Sequence, residues 1–144
     1  MKLSTRSRYA ARAIIEIAKK SGDKPITRKI ICENQQISSS YLENILIVLK
    51  NQGIIKTIRG PRGGYSLAKD TSEITMYDIV SIFEGSISAV HCVDDPSNCS
   101  RYENCPTKIV WEELMAAQSK VLKSFTVKKL IDLSQKDLSS DYAI

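Results

Sequence analysis

Tyr9, Ala10, Ala13, Ile14, Ile17 and Ala18 recur at helical spacing, with Arg6, Arg8, Arg12, Glu16 and Lys19 mostly on the other face, and predict a helix from Thr5 to Lys20. Ser21-Gly22-Asp23-Lys24-Pro25 has the composition of a turn. Thr27 is placed to cap a short helix carrying Ile30, Ile31 and Cys32. Gln35 to Ser38 separate it from a third helix, whose apolar face is Tyr41, Leu42, Ile45, Leu46, Val48 and Leu49 and which Gly53 stops. Two short helices joined by a tight turn form a helix-turn-helix. The runs Ile54 to Ile58 and Gly64 to Leu67 flank Arg59-Gly60-Pro61-Arg62-Gly63, as in a short hairpin with its turn. This hairpin is a wing.

Thr75-Met76-Tyr77-Asp78 resembles a capping box, with Asp where Glu or Gln is usual, and opens a fourth helix through Ile79, Val80, Ile82 and Phe83 to about Gly85. Periodicity is then lost until Cys105, and a loop of roughly twenty residues in a compact domain is normally functional or disordered. Pro106 suits a first helical turn, and Val110, Trp111, Leu114, Met115, Val121 and Leu122 line one side of a helix to about Ser124. The chain beyond Ser124 is too short to cover so wide a stripe, so a second subunit is the expected cover. The predicted fold is mainly α: a winged helix-turn-helix with a small β-hairpin wing and a long dimerisation helix. Its parts are a DNA-binding domain (1–85), a cysteine-bearing loop (86–105), a dimerisation helix with a C-terminal helix (106–133), and a frayed tail (134–144).

Charge sharpens this picture. Residues 1–69 carry 14 Lys/Arg against 4 Asp/Glu, a net of +10, whereas residues 70–144 carry 7 against 12, a net of −5. A basic half joined to an acidic half suits one part that meets a polyanion and another that does not. No apolar stretch approaches the roughly 20 residues of a membrane helix, and the opening Met-Lys-Leu-Ser-Thr-Arg lacks the apolar run of an export signal, so a cytoplasmic chain is expected. No nucleophile-base pair stands out, and no enzymatic activity is expected.

A helix-turn-helix places the start of its second helix in the major groove. Here that start is Ser38-Ser39-Ser40-Tyr41-Leu42-Glu43-Asn44. The hydroxyls and first-turn N–H groups suit phosphate, Asn44 suits adenine, and Glu43 suits the amino group of cytosine. Glu43 has a rival role, because Ser40-x-x-Glu43 also has the form of a capping box. Arg59, Gly60 and Arg62 form a slim basic wing tip, fit to enter the minor groove or clamp phosphates. Arg6, Arg8, Arg28 and Lys56 are expected to make non-specific phosphate contacts.

Four cysteines in a reducing compartment argue against a disulfide framework. Cys32 lies within an apolar pattern and suits the core. Cys92, Cys99 and Cys105 share one acidic loop, and soft thiolates select zinc or iron-sulfur clusters, both of which usually want four ligands. The wide spacing lacks the close pairs of structural zinc sites and fits a labile cluster better, while zinc binding and thiol redox switching remain open.

The opening Met1 to Ala10, the segment Ile37-Ser-Ser-Ser-Tyr-Leu-Glu43, the wing Arg59-Gly-Pro-Arg-Gly-Gly-Tyr65 and the three loop cysteines together resemble the Rrf-two (Rrf2) family of winged-helix transcription regulators, with IscR-like members the nearest. The resemblance runs to about Leu133. It implies a homodimer that binds a pseudo-palindromic double-stranded operator, mainly as a repressor, and an iron-sulfur cluster held by Cys92, Cys99 and Cys105. For IscR-like members this is a 2Fe-2S cluster and the targets are cluster assembly genes; nitric-oxide-sensing members hold 4Fe-4S, and CymR-like members work with a metabolic enzyme partner. The sequence departs from the family pattern at the fourth ligand, and its one histidine, His91, adjoins Cys92.

Overall fold

The computed structural model describes residues 2–20 and 24–140, the side chains of 137–140 excepted. The turn expected at Ser21 to Asp23 lies outside the described residues. In chain order the elements are α1 (Thr5–Lys20), α2 (Arg28–Gln35), α3 (Ser39–Asn51), β1 (Ile55–Ile58), β2 (Gly64–Leu67), α4 (Met76–Glu84), α5 (His91–Asp94), α6 (Lys108–Ser124) and α7 (Val127–Ser140). The result is a mainly helical winged helix-turn-helix whose two strands form one antiparallel hairpin.

The small residues of α1 let other elements approach it closely. Ala10, Ala13 and Ile14 are wholly covered, and α2, α3, β2, α4 and α7 pack around this helix. Leu42, Ile45, Leu46 and Leu49 of α3, with Ile31, Ile79 and Val127, close the same core. Cys32 is half-buried and packs against it, as its apolar setting suggests.

Local signals fix the helix ends. The Thr27 hydroxyl accepts from the Ile30 N–H and caps α2, and Gln36 leaves that helix in the left-handed region, which gives the tight turn into α3. Thr75 and Asp78 form the predicted capping box: the Asp78 N–H donates to the Thr75 hydroxyl at 3.2 Å, and the Thr75 N–H donates to the Asp78 carboxylate at 2.8 Å.

The wing is anchored as well as folded. Ile55 pairs with Leu67 and Ile58 with Gly64, while Ile26 and Tyr65 exchange backbone hydrogen bonds at 2.8 and 2.9 Å. This third segment fastens the hairpin to the chain just ahead of α2. It brings the Ile26 carbonyl so close to Gly64, at φ +154°, that a Cβ there would meet the Ile26 oxygen at 2.5 Å, so only glycine fits.

The structure corrects three expectations. The tail expected to fray from Ser134 is helical as far as Ser140, where α7 ends, and its last residues, 141–144, lie outside the described residues. The Thr126 hydroxyl accepts from the Lys129 N–H near the start of this helix, Val127 is buried, and no Gly or Pro interrupts the residues from there to Ser140. The stretch from Gly85 to Cys105 is not without structure; it carries α5 and two 3₁₀ turns, Pro96–Asn98 and Tyr102–Asn104. Glu16 does not lie on the solvated face of α1 but is buried, its two carboxylate oxygens accepting from the Asn34 and Gln35 side-chain amides. These bonds tie α1 to the turn of the helix-turn-helix.

The N-terminal segment is fastened to the far end of α4. One oxygen of Glu84 accepts from the Ser4 N–H at 2.9 Å, from the Ser4 hydroxyl at 2.6 Å, and from the Ser7 hydroxyl. These donors hold the Glu84 carboxyl below its ordinary range, the Ser4 hydroxyl first. A lowered folded-state pKa contributes stability that is present above the unfolded value and lost as pH falls through the folded one. Wild type is therefore expected to melt above Glu84→Gln at about pH 7, with the gap closing as the pH falls below about 4. Thermal unfolding of both proteins across that range checks this; a gap that widens in acid would refute the assignment.

Candidate nucleic-acid interface and cysteine loop

The helix-turn-helix turns a continuous polar face outward. Ser38 is the N-cap of α3, and Ser38, Ser39, Ser40, Glu43 and Asn44 are all exposed, while Tyr41 is half-buried with its ring edge-on to Tyr9 at 5.7 Å between centroids. The Ser38 side chain makes no capping bond. A capping box of Ser40 and Glu43 is excluded, because α3 begins at Ser39 and leaves Ser40 within the helix. Glu43 instead meets Arg28 of α2 at 2.8 Å, with both side chains partly open to solvent. In the free protein Arg28 is thus already paired with an acid, which sequence reasoning missed because the two residues lie on different helices. The pair spans the turn of the motif. Contact with DNA would have to preserve it or replace it with a phosphate for Arg28 and a base for Glu43.

The wing rises next to α3, since β1 packs on that helix. Its tip is exposed at Arg59, Gly60, Pro61 and Arg62, closed by the Gly63 N–H donating to the Gly60 carbonyl at 2.9 Å. Gly60 holds φ +116°, a conformation most side chains resist. Neither wing arginine takes part in the ion pairs found among the described residues. Two unengaged guanidinium groups and the open first turns of α3 thus belong to one contiguous unit of the fold.

The cysteine loop runs from the end of α4 to the start of α6. Cys92 lies in α5, Cys99 follows the first 3₁₀ turn and Cys105 the second, and all three are half-buried free thiols. Short polar bonds organise the segment. Asp95 accepts from the Ser97 N–H and hydroxyl, and Asp94 accepts from the Ser88 hydroxyl, and in each case serine hydroxyls lead in holding the carboxyl below its ordinary range. Tyr102 fastens the loop to α6 by donating to the Glu112 carboxylate at 2.5 Å, with the Lys108 ammonium 4.6 Å from its ring centre. That bond to Glu112 pushes the Tyr102 phenol up to about 12. The Cys105 thiol lies 3.2 Å from the Thr107 hydroxyl, which together with the backbone ahead of α6 draws its pKa down.

An iron-sulfur cluster is the cofactor implied for this loop. The donors are chemically apt, but their placement is not a ready-made site: among the described residues, no three His, Cys, Asp or Glu side chains are grouped to hold a metal ion. Cys92, Cys99 and Cys105 are the side chains that would hold a cluster, and the loop as it stands does not group them as a metal site.

α6 presents an open apolar surface. None of its 17 residues is buried, and Ile109, Val110, Leu114 and Val121 are between 38% and 58% exposed. Its other side packs on α4 and α5. No helix among the described residues is long and apolar enough to cross a membrane.

A family model described as an iron-dependent transcriptional regulator matches residues 3–133. The chain belongs to the Rrf2 family. It is 37% identical over 130 residues to the transcriptional regulator CymR of Bacillus subtilis, covering 90% of this chain and 89% of that one. The solved structure of B. subtilis CymR, described as the global cysteine regulator, superposes with a TM-score of 0.78 at 34% identity, covering 92% and 98% of the two chains. IscR of Yersinia enterocolitica is 33% identical over 132 residues, 92% of this chain and 80% of that one. The structure of T. potens IscR superposes equally well, at a TM-score of 0.78 with 31% identity over 95% and 90% of the chains. These Rrf2 relatives are transcription regulators and not enzymes, and the present chain is a DNA-binding transcriptional regulator of that family.

Proposed function

We propose that the protein acts in the cytoplasm as a homodimer on a pseudo-palindromic double-stranded operator, mainly as a repressor, and that the loop bearing Cys92, Cys99 and Cys105 is its sensor. The observation that carries this reading is the exposed polar face of α3, Ser38, Ser39, Ser40, Glu43 and Asn44, on a helix packed against the wing, whose tip arginines form no ion pair among the described residues. Arg59, Gly60 and Arg62 serve as the minor-groove or phosphate clamp. Ser38, Ser39, Ser40, Tyr41, Glu43 and Asn44 serve the major groove, and Arg28 acts through Glu43. The open apolar face of α6 supports a second copy as its cover.

The effector in this reading is an iron-sulfur cluster, 2Fe-2S before 4Fe-4S, and the regulated genes are those of cluster assembly. Three soft thiols on one short segment, the iron-dependent family and the IscR relatives support it. Because the thiols are not gathered, a cluster requires the loop to rearrange on loading. A second reading, a thiol switch acting with or without a protein partner, is favoured by the lowered Cys105 pKa and by the likeness to CymR.

Visible absorption, iron and acid-labile sulfide in protein purified without oxygen separate the two. A coloured protein with about two irons and two sulfides per subunit, and a colourless Cys92→Ala/Cys99→Ala/Cys105→Ala variant, is the expected outcome. A wild type that stays colourless and iron-free after reconstitution would move the assignment to the thiol reading.

A further inference from the structure

The outward stripe of α3 carries one residue that no polar role explains. Leu42, Ile45, Leu46 and Leu49 face the core, and Ser40, Glu43, Asn44, Lys50 and Asn51 face solvent. Ile47 shares the solvent face and is 51% exposed, the one exposed large apolar side chain of the helix. It follows Glu43 by four residues and Asn44 by three, so the three side chains neighbour one another on the helix surface.

Nothing in the isolated chain rewards isoleucine there. It lies outside the hydrophobic core, and as a β-branched residue it is a poorer helix former than the lysine or glutamine such an open site would accommodate. On the face proposed to enter the major groove, however, the bases offer one apolar group, the C5-methyl of thymine.

We infer that Ile47 is a specificity-determining residue that reads a thymine methyl, one turn beyond the polar base contacts of Glu43 and Asn44. The inference rests on the assignment of α3 as the recognition helix and adds a base preference to it. Its selectivity is of the apolar kind: cytosine at the same position presents an amino group and no methyl, so Ile47 contact would be lost and the amino group left facing a hydrocarbon.

The test uses full-length protein and an operator enriched by the wild type from random-sequence duplex DNA. Each thymine of one half-site is replaced singly by deoxyuridine, which removes the methyl and keeps the pairing edge. At one position wild type should bind about four-fold more weakly, the fold-change that corresponds to about 0.8 kcal/mol for one buried methyl-sized group. Ile47→Ala should bind the thymine and uridine operators equally at that position. Its unchanged melting temperature, expected for an exposed residue, separates lost recognition from lost folding. If no uridine substitution distinguishes wild type from Ile47→Ala, the inference is overturned while DNA binding stands. If the wild type enriches no sequence at all, the recognition-helix assignment fails and takes this inference with it.

Discussion

Replacing Arg59 and Arg62 with Ala is expected to weaken operator binding by at least about 100-fold while leaving the melting temperature unchanged. Both side chains stand at the exposed wing tip and neither forms an ion pair among the described residues, so the fold gives up nothing when they go. In a dimer the double substitution removes four guanidinium groups, and an arginine held bidentate is worth about 1–3 kcal/mol. The contacts made to phosphate also release counterions, each steepening the slope of log affinity against log salt by about 0.9. Fluorescence anisotropy at several salt concentrations should show both lower affinity and a flatter slope. Weaker binding with an unchanged slope would place these arginines on bases or in the minor groove, and unchanged affinity would remove the wing from the interface.

The second large effect concerns α6. Val110→Glu combined with Val121→Glu is expected to give a folded monomer, seen as half the native mass in light scattering, with helical content retained. Location sets the outcome: each valine is more than half exposed in the single chain, so a carboxylate there costs the subunit little, whereas two per copy buried in a self-complementary interface would be unpaired charges. Operator affinity should fall by about two to four orders of magnitude, the advantage lost when two linked half-sites become independent. A variant that remains dimeric would show that subunits meet elsewhere.

The scaffold was legible in the sequence wherever a period was closed by a chemical stop. Thr27, Thr75 with Asp78, Gly53 and Gly85 bracket helices that the structure places within a few residues of the expected bounds. The wing was legible in its glycines and alternating strands. Features built by residues distant in sequence were hidden. Glu16 is buried because Asn34 and Gln35, 18 and 19 residues away, supply its donors, and nothing in the local pattern of α1 signals that. The Arg28–Glu43 pair likewise joins two helices, and only the true start of α3 removed the competing capping role.

The cysteine loop lacks a helical or strand period, so its short turns, set by Asp95 with Ser97 and by Tyr102 with Glu112, could not be read from spacing. Sequence named three thiols as ligands; among the described residues they are not grouped as a metal site, so holding a cluster would require the loop to rearrange. In the proposed reading, that rearrangement is the signal. The loop begins just after Glu84, whose bonds to Ser4 and Ser7 reach the start of α1, and it ends on α6, so a loop that rearranged would act on both the DNA-binding unit and the helix proposed to join two copies.

The central claim is that the state of this loop is read out as operator affinity. Its most direct test is the dissociation constant for one operator, at fixed salt and without oxygen, of reconstituted wild type beside the Cys92→Ala/Cys99→Ala/Cys105→Ala variant. Both proteins are expected to bind as dimers, with affinities that differ by about 5- to 150-fold, the usual range of coupling between two sites. Equal affinities, with wild type shown to carry its cluster, would contradict the claim.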